Sequence, residues 1–123
     1  MSQYGILIVS HVFEIAEGAK RLIEQVAAHV SVSTAGGLED GSVGTSLERI
    51  QEAIDQNTSD TILAFYDLGS AKMNLEICSE MTDKKVYLFN APIIEGAYSA
   101  AALAEVDVPI SDICAQLQEL EIK

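Results

Sequence analysis

His11 is the residue from which a chemistry can be argued. It follows an unbroken apolar run, Tyr4 to Ser10 (YGILIVS), and precedes a helical pattern that begins at Val12. That junction is ordinarily held by Ser, Thr, Asp or Gly. An imidazole there stands at the edge of the fold, beside first-turn N–H groups that lack intrahelical partners and can receive an anion. Its neutral ring is a nucleophile. Asp67 ends a second apolar run, Thr61 to Tyr66 (TILAFY), where an unpaired carboxylate is costly. Beside His11 it would accept one ring N–H and leave the other nitrogen free to attack. Asp67 also suits an Asx turn ahead of Ser70, and the two uses are compatible. His29 falls at a helix end, where the last carbonyls and the helix dipole give it a structural use.

Other chemistries fit less well. The sequence contains neither G-x-x-x-x-G-K-[ST] nor G-x-G-x-x-G. Its main loop, A-G-G-L-E-D-G-S-V-G from Ala35 to Gly44, holds four of the eight glycines but no lysine. It reads equally as a flexible connection or a ligand cradle. Ser10, His11 and Asp67 suggest a hydrolase triad, but no G-x-S-x-G elbow is present. Adjacent Ser and His at a strand end are also expected to point apart. His11 and Asp67 have no third ligand candidate, so no metal is expected. Cys78 and Cys114 fit no metal spacing and fall on apolar helix faces as buried structural thiols.

The elements that must position these groups follow from periodicity. Tyr4–Ser10 reads as a strand buried on both faces. Val12, Ile15, Ala16, Ala19, Leu22, Ile23, Val26 and Ala27 form one helical stripe. Val30 to Thr34 alternates as a strand nearer an edge. Thr45 and Glu48 match a capping box for a helix facing inward through Leu47, Ile50, Ala53 and Ile54. Thr61–Tyr66 is a third strand. Ser70 is the expected N-cap of a helix with Ala71, Leu75, Cys78 and Met81 inward. Lys85–Phe89 is a fourth strand, and Pro92 opens an Ala-rich helix from about Ile93 to Ala104. Pro109 starts a last helix facing inward through Ile110, Ile113, Cys114, Leu117 and Leu120. Repeated βα units predict one doubly wound α/β domain over residues 1–123: a four-stranded, mainly parallel sheet, helices on both faces, and a C-terminal helix. Such sheets place their sites at the carboxyl ends of the strands. Here those ends are Ser10-His11, Gly36 to Thr45, Asp67 to Ser70, and Asn90 to Pro92.

The 123 residues include 19 acidic and 7 basic side chains, a net charge of -12. Phosphate-backbone binding needs concentrated Lys and Arg. Only Lys20-Arg21 and Lys84-Lys85 are adjacent, so nucleic-acid and anionic-membrane binding are not expected. The chain shows no basic stretch leading into an apolar signal segment, and no apolar run near the roughly 20 residues of a membrane span. A cytoplasmic location is expected.

Several short motifs occur together and in order. They are I-V-S-H at Ile8 to His11, A-E-G at Ala16 to Gly18, G-G-L-E-D at Gly36 to Asp40, and G-T at Gly44-Thr45. D-L-G-S-A at Asp67 to Ala71 and A-P-I-I-E-G at Ala91 to Gly96 complete the set. Through them the chain resembles the mannose-type EIIA family of the bacterial phosphotransferase system, over nearly its whole length. The D-L-G-S and A-P-x-x-E-G segments favour the branch of phosphoryl donors to phosphoenolpyruvate-dependent dihydroxyacetone kinase. The resemblance implies that His11 takes a phosphoryl group from the carrier protein HPr and passes it to ADP on a nucleotide-binding kinase subunit. It implies that Asp67 orients the imidazole, that Ser70 lies near the phosphoryl site, and that the protein is a homodimer. Ser10, Gly36, Gly37, Thr45 and Gly69 join Ser70 as expected phosphoryl- or partner-binding positions. Neither a cofactor nor a metal is implied on this subunit. Val12-Phe13-Glu14 departs from the smaller or more basic residues associated with the positions after the histidine. Some relatives continue into fused HPr-like and EI-like domains; a chain of this length implies a separate HPr. Two alternatives remain: an EIIA domain of a mannose-type sugar transport system, and a non-enzymatic α/β regulatory module.

Overall fold

Apolar side chains at every position of a strand require cover on both faces of the sheet, and the helices provide it. A computed structural model describes residues 3–122. In chain order it contains β1 (Tyr4–Ser10), α1 (Phe13–Glu24), β2 (Ser31–Gly36), α2 (Leu47–Gln56) and β3 (Thr61–Tyr66). There follow α3 (Gly69–Met81), β4 (Lys85–Phe89), α4 (Ile93–Glu105) and α5 (Ile110–Gln118). The strand order is β2-β1-β3-β4 and every pairing is parallel. All seven residues of β1 are buried. Ile6 and Ile8, with Leu63 and Phe65 of β3, pack on one face against α1, α4 and α5. Leu7 and Val9, with Ile62, Ala64 and Tyr66, pack on the other against α2 and α3. This is the doubly wound α/β arrangement expected from the order of elements.

Several local expectations are corrected. Of the expected helical stripe, Ala16, Ala19, Ile23 and Ala27 are buried, while Ile15, Leu22 and, beyond the end of α1, Val26 are exposed. The helix seats closely on its alanines: a Cβ at Gly36 would lie 2.9 Å from the Ala16 Cβ. That close approach leaves the larger side chains at the flanks of the stripe outside. The N-cap of α2 is Ser46, not Thr45; its hydroxyl accepts the Arg49 N–H at 3.3 Å. The Thr45 hydroxyl instead accepts from the Asn74 side chain at 2.8 Å. The N-cap of α3 is Leu68, so Ser70 lies inside the first turn and caps nothing. Met81 ends α3 exposed. His29 serves no helix carbonyl: its N–H and Nδ1 meet the Glu105 carboxylate at 2.8 and 2.7 Å. The lower ends of β1 and β2 are joined by buried Asn57. Its Nδ2 lies 3.1 Å from Ile6 O, 3.2 Å from Ser31 O and 3.1 Å from Ser33 Oγ.

Candidate functional site

β1 leads by one crossover to β2 on one side, while β3 lies on the other side, so strand order switches between β1 and β3. The carboxyl ends of neighbours at such a switch are where open α/β sheets place their sites. Val9 pairs with Tyr66, and the Asp67 N–H donates to Val9 O at 3.2 Å. The next residues along, Ser10-His11 and Asp67, therefore leave the sheet side by side. Val12 is extended (φ -124°, ψ 125°) before α1 begins, which gives His11 a place outside both regular elements.

The Asp67 carboxylate organises the site. Its Oδ2 accepts from the Ser10 hydroxyl and from the His11 N–H, each at 2.9 Å. Its Oδ1 accepts from His11 Nδ1 at 2.8 Å and from the Leu68 N–H at 2.7 Å. Burial by itself would raise the Asp67 pKa. The His11 N–H, the His11 ring, the Ser10 hydroxyl and the Leu68 N–H together outweigh burial and hold it below the usual carboxylate value. An ionised carboxylate can only accept, so a ring proton sits on Nδ1, and in the neutral ring the Nε2 lone pair is available. Ser70 Oγ lies 2.6 Å from Nε2 and can donate to that lone pair. The His11 and Asp67 side chains are each 16% exposed, so the ring is braced yet reachable.

Ser10, His11, Asp67 and Ser70 are thus brought together. Gly69 stands beside them at the start of α3, with open space where a side chain would be. Contrary to the expected divergence, Ser10 and His11 both turn to Asp67, because the backbone leaves its strand geometry after Ser10. Ser10 is fully buried, and its hydroxyl also accepts the Val12 N–H at 3.1 Å. That spends an amide expected to face an anion. Nε2 instead lies beside the N-terminus of α3, through Ser70 Oγ at 2.6 Å. Gly36 and Gly37 hold the backbone around His11. A Cβ at Gly36 would lie 2.8 Å from the Phe13 Cα, and Gly37 adopts φ +71°. The Gly37 N–H donates to Ser10 O at 3.1 Å and the Gly44 N–H to His11 O at 2.8 Å. The glycine-rich loop therefore clamps the main chain of Ser10-His11. The Thr45 hydroxyl accepts from Asn74, one turn along α3 from Ser70. The bonds from Leu68 N–H, Gly44 N–H and Asn74 carry no sequence signal, since two are backbone groups and the third is a long-range pair. Phe13, Val43 and Leu68, close in sequence to His11, Gly44 and Asp67, are exposed apolar side chains.

Among the described residues no three His, Cys, Asp or Glu side chains cluster to hold a metal ion. Cys78 is buried and Cys114 partly buried; both are free thiols whose pKa burial raises. No described helix is long and apolar enough to cross a membrane. A hollow of about 320 Å³ is lined by Leu47, Glu48, Gln51, Glu52, Asp55 and Met81, none of which touches His11.

Residues 5–113, which include all of these site positions, match the EIIA-man family model, described as the fructose IIA component of the phosphotransferase system. The phosphotransferase subunit DhaM of the PTS-dependent dihydroxyacetone kinase of Lactococcus lactis is 52% identical over 120 residues, covering 98% of each chain. The chain belongs to the EIIA-man family. The phosphoryl donor subunit DhaM of PEP-dependent dihydroxyacetone kinase 1 of Listeria innocua is 48% identical over 120 residues, covering 98% of this chain and 97% of that one. A crystal structure of a protein of unknown function, EF1359, matches with a TM-score of 0.86 and 32% identity. It covers 100% of this chain and 98% of that one. The fold is shared with the crystal structure of phosphotransferase system component EIIA from Streptococcus agalactiae, which matches with a TM-score of 0.69 and 20% identity over 94% of this chain and 90% of that one.

Proposed function

We propose that this chain is the phosphoryl donor subunit of a phosphoenolpyruvate-dependent dihydroxyacetone kinase, carrying the phosphoryl group on Nε2 of His11. The observation that carries the mechanism is the braced ring: Nδ1 on Asp67 Oδ1 at 2.8 Å, with Nε2 directed outward to Ser70. The substrate system rests on the 52% and 48% identical relatives, whose names give that role.

In the first step the Nε2 lone pair attacks the phosphorus of phosphorylated HPr. The new N–P bond forms as the donor's P–N bond breaks, and the donor imidazole leaves with its electron pair. The His11 ring keeps the Nδ1 proton and gains positive charge, which Asp67 stabilises at 2.8 Å. Ser70 turns its hydroxyl from Nε2 to a phosphoryl oxygen, and the Gly69 and Ser70 N–H groups at the start of α3 can meet the same anion, the Ala71 N–H being bonded to Leu68 O at 3.0 Å. In the second step a terminal oxygen of ADP, held on the nucleotide-binding kinase subunit, attacks the phosphorus. The P–Nε2 bond breaks and the neutral ring returns. Phosphoryl transfer asks mostly for positioning and charge stabilisation, which His11, Asp67, Ser70 and the start of α3 can supply without a nucleotide pocket at His11.

The proposal includes a cytoplasmic homodimer that exchanges phosphoryl groups with separate HPr and kinase subunits. The test is reconstitution. The chain is charged with labelled phosphoenolpyruvate and the general carrier proteins, then offered either the kinase subunits with dihydroxyacetone and ADP or a membrane sugar permease component. Label should reach dihydroxyacetone phosphate in the first case and fail to move in the second. Transfer only to the permease component would assign the chain to sugar transport, and His11→Ala should take no label at all.

A further inference from the structure

We propose that Ser10 is a positioning residue for phosphoryl transfer: its buried hydroxyl bridges the Val12 amide and Asp67 Oδ2, fixing the carboxylate so that Oδ1 holds the Nδ1–H of His11. The inference rests on the reading of His11 as the phosphoryl carrier.

The geometry assigns Ser10 this task and excludes contact with the phosphoryl group. Ser10 is the last residue of β1, in register with Gly36 of β2, and it has no exposed surface. Its single hydroxyl proton is committed to Asp67 Oδ2 at 2.9 Å, and a lone pair accepts the Val12 N–H at 3.1 Å. Both bonds are internal to the scaffold. A carboxylate turns readily about its terminal torsion, whose energy wells are broad. The ring of His11 pulls on Oδ1, where the Leu68 N–H also binds. Rotation is stopped only if the other oxygen is fixed as well. On Oδ2 the His11 N–H and the Ser10 hydroxyl do this, and Ser10 contributes the side-chain share. Because the same hydroxyl receives the Val12 amide, it ties the carboxylate to the residue that precedes α1. The ring, its acceptor and the start of the helix are therefore held as one unit. Supporting groups of this kind typically cost about 10- to 100-fold when removed from metal sites. Ser10 is one of several donors, so the lower end of that range applies.

The test compares Ser10→Ala with wild type and with Ser10→Thr, which keeps a hydroxyl. Three quantities are read: the rate of phosphoryl transfer from phosphorylated HPr, the His11 tautomer from ring 15N shifts, and the Asp67 carboxyl titration by 13C NMR. Ser10→Ala should lower the rate about 10-fold, mix the two ring tautomers and move the Asp67 titration upward, since a donor to the carboxylate is lost. Ser10→Thr should restore all three. If Ser10→Ala does not fold, Ser10→Cys, a weak donor of similar shape, should show the same changes in smaller measure. A wild-type rate in Ser10→Ala, or in Ser10→Cys where Ser10→Ala does not fold, or a slower rate with tautomer and titration unmoved, would overturn the role. The carrier reading fails separately, by absence of label on the wild-type chain.

Discussion

Replacing Asp67 by Asn keeps the shape of the side chain and reverses what half of it can do. In the wild type two donors converge on each carboxylate oxygen: the Ser10 hydroxyl and His11 N–H on Oδ2, the His11 ring and Leu68 N–H on Oδ1. An amide offers one acceptor oxygen and one NH₂. With NH₂ at the Oδ1 position it faces the ring, and the ring answers by moving its proton to Nε2, which removes the reacting lone pair. With NH₂ at the Oδ2 position it meets the His11 N–H head-on. In either orientation the negative charge beside the developing imidazolium is gone. For charges about 4 Å apart at an effective dielectric of roughly 20 to 40, that charge is worth about 2–4 kcal/mol. At 1.36 kcal/mol per tenfold, transfer should slow by about 30- to 1000-fold. The assay is single-turnover quench of phosphoryl transfer from phosphorylated HPr, with circular dichroism to confirm that the variant is folded. A rate within threefold of wild type would refute the orienting and charge-stabilising role and leave Asp67 a turn-forming residue.

Further outcomes follow from the same geometry. Ser70→Ala should lower transfer about 10-fold through loss of a phosphoryl donor; a faster rate would instead make the 2.6 Å bond to Nε2 a brake on the free ring. Asp67, whose folded pKa lies below its ordinary 3.8, contributes stability that is complete above the ordinary value and is lost as pH falls through the folded one. Thermal midpoints of wild type should therefore fall more steeply below about pH 4 than those of Asp67→Asn; parallel curves would count against it. Asn57→Ala should destabilise the chain by about 2–4 kcal/mol in urea unfolding, since strand carbonyls at one end of the sheet lose a buried donor. Its phosphoryl transfer should stay at the wild-type rate, because that end lies away from His11.

The framework of the site is legible where burial alone decides structure. Tyr4–Ser10 and Thr61–Tyr66 match β1 and β3 residue for residue, because each is an apolar run stopped by a polar group that cannot follow it into the core. The rule placing sites at carboxyl strand ends then brings His11 toward Asp67. What was not legible depends on geometry between elements. Thr45 and Ser46 are both able to cap α2, and the loop anchored at Gly44 to His11 O decides for Ser46. Ser70 has a cap's side chain, but α3 starts earlier, and its hydroxyl goes to His11. The alternation that sets Ser10 apart from His11 holds within a strand and stops where the strand stops. His29 finds Glu105, 76 residues away, a pairing with no local mark in the sequence.

The most direct test of the central claim is the position of the phosphoryl group itself. The chain, labelled with 15N in its histidine rings, is charged with phosphoenolpyruvate and the general carrier proteins and observed by NMR. One phosphoryl group per chain is expected, labile in acid and stable in base, on Nε2 of His11 with the Nδ1 proton retained. Phosphorylation at Nδ1 of His11, at His29, or at any residue of the His11→Ala chain would contradict the account.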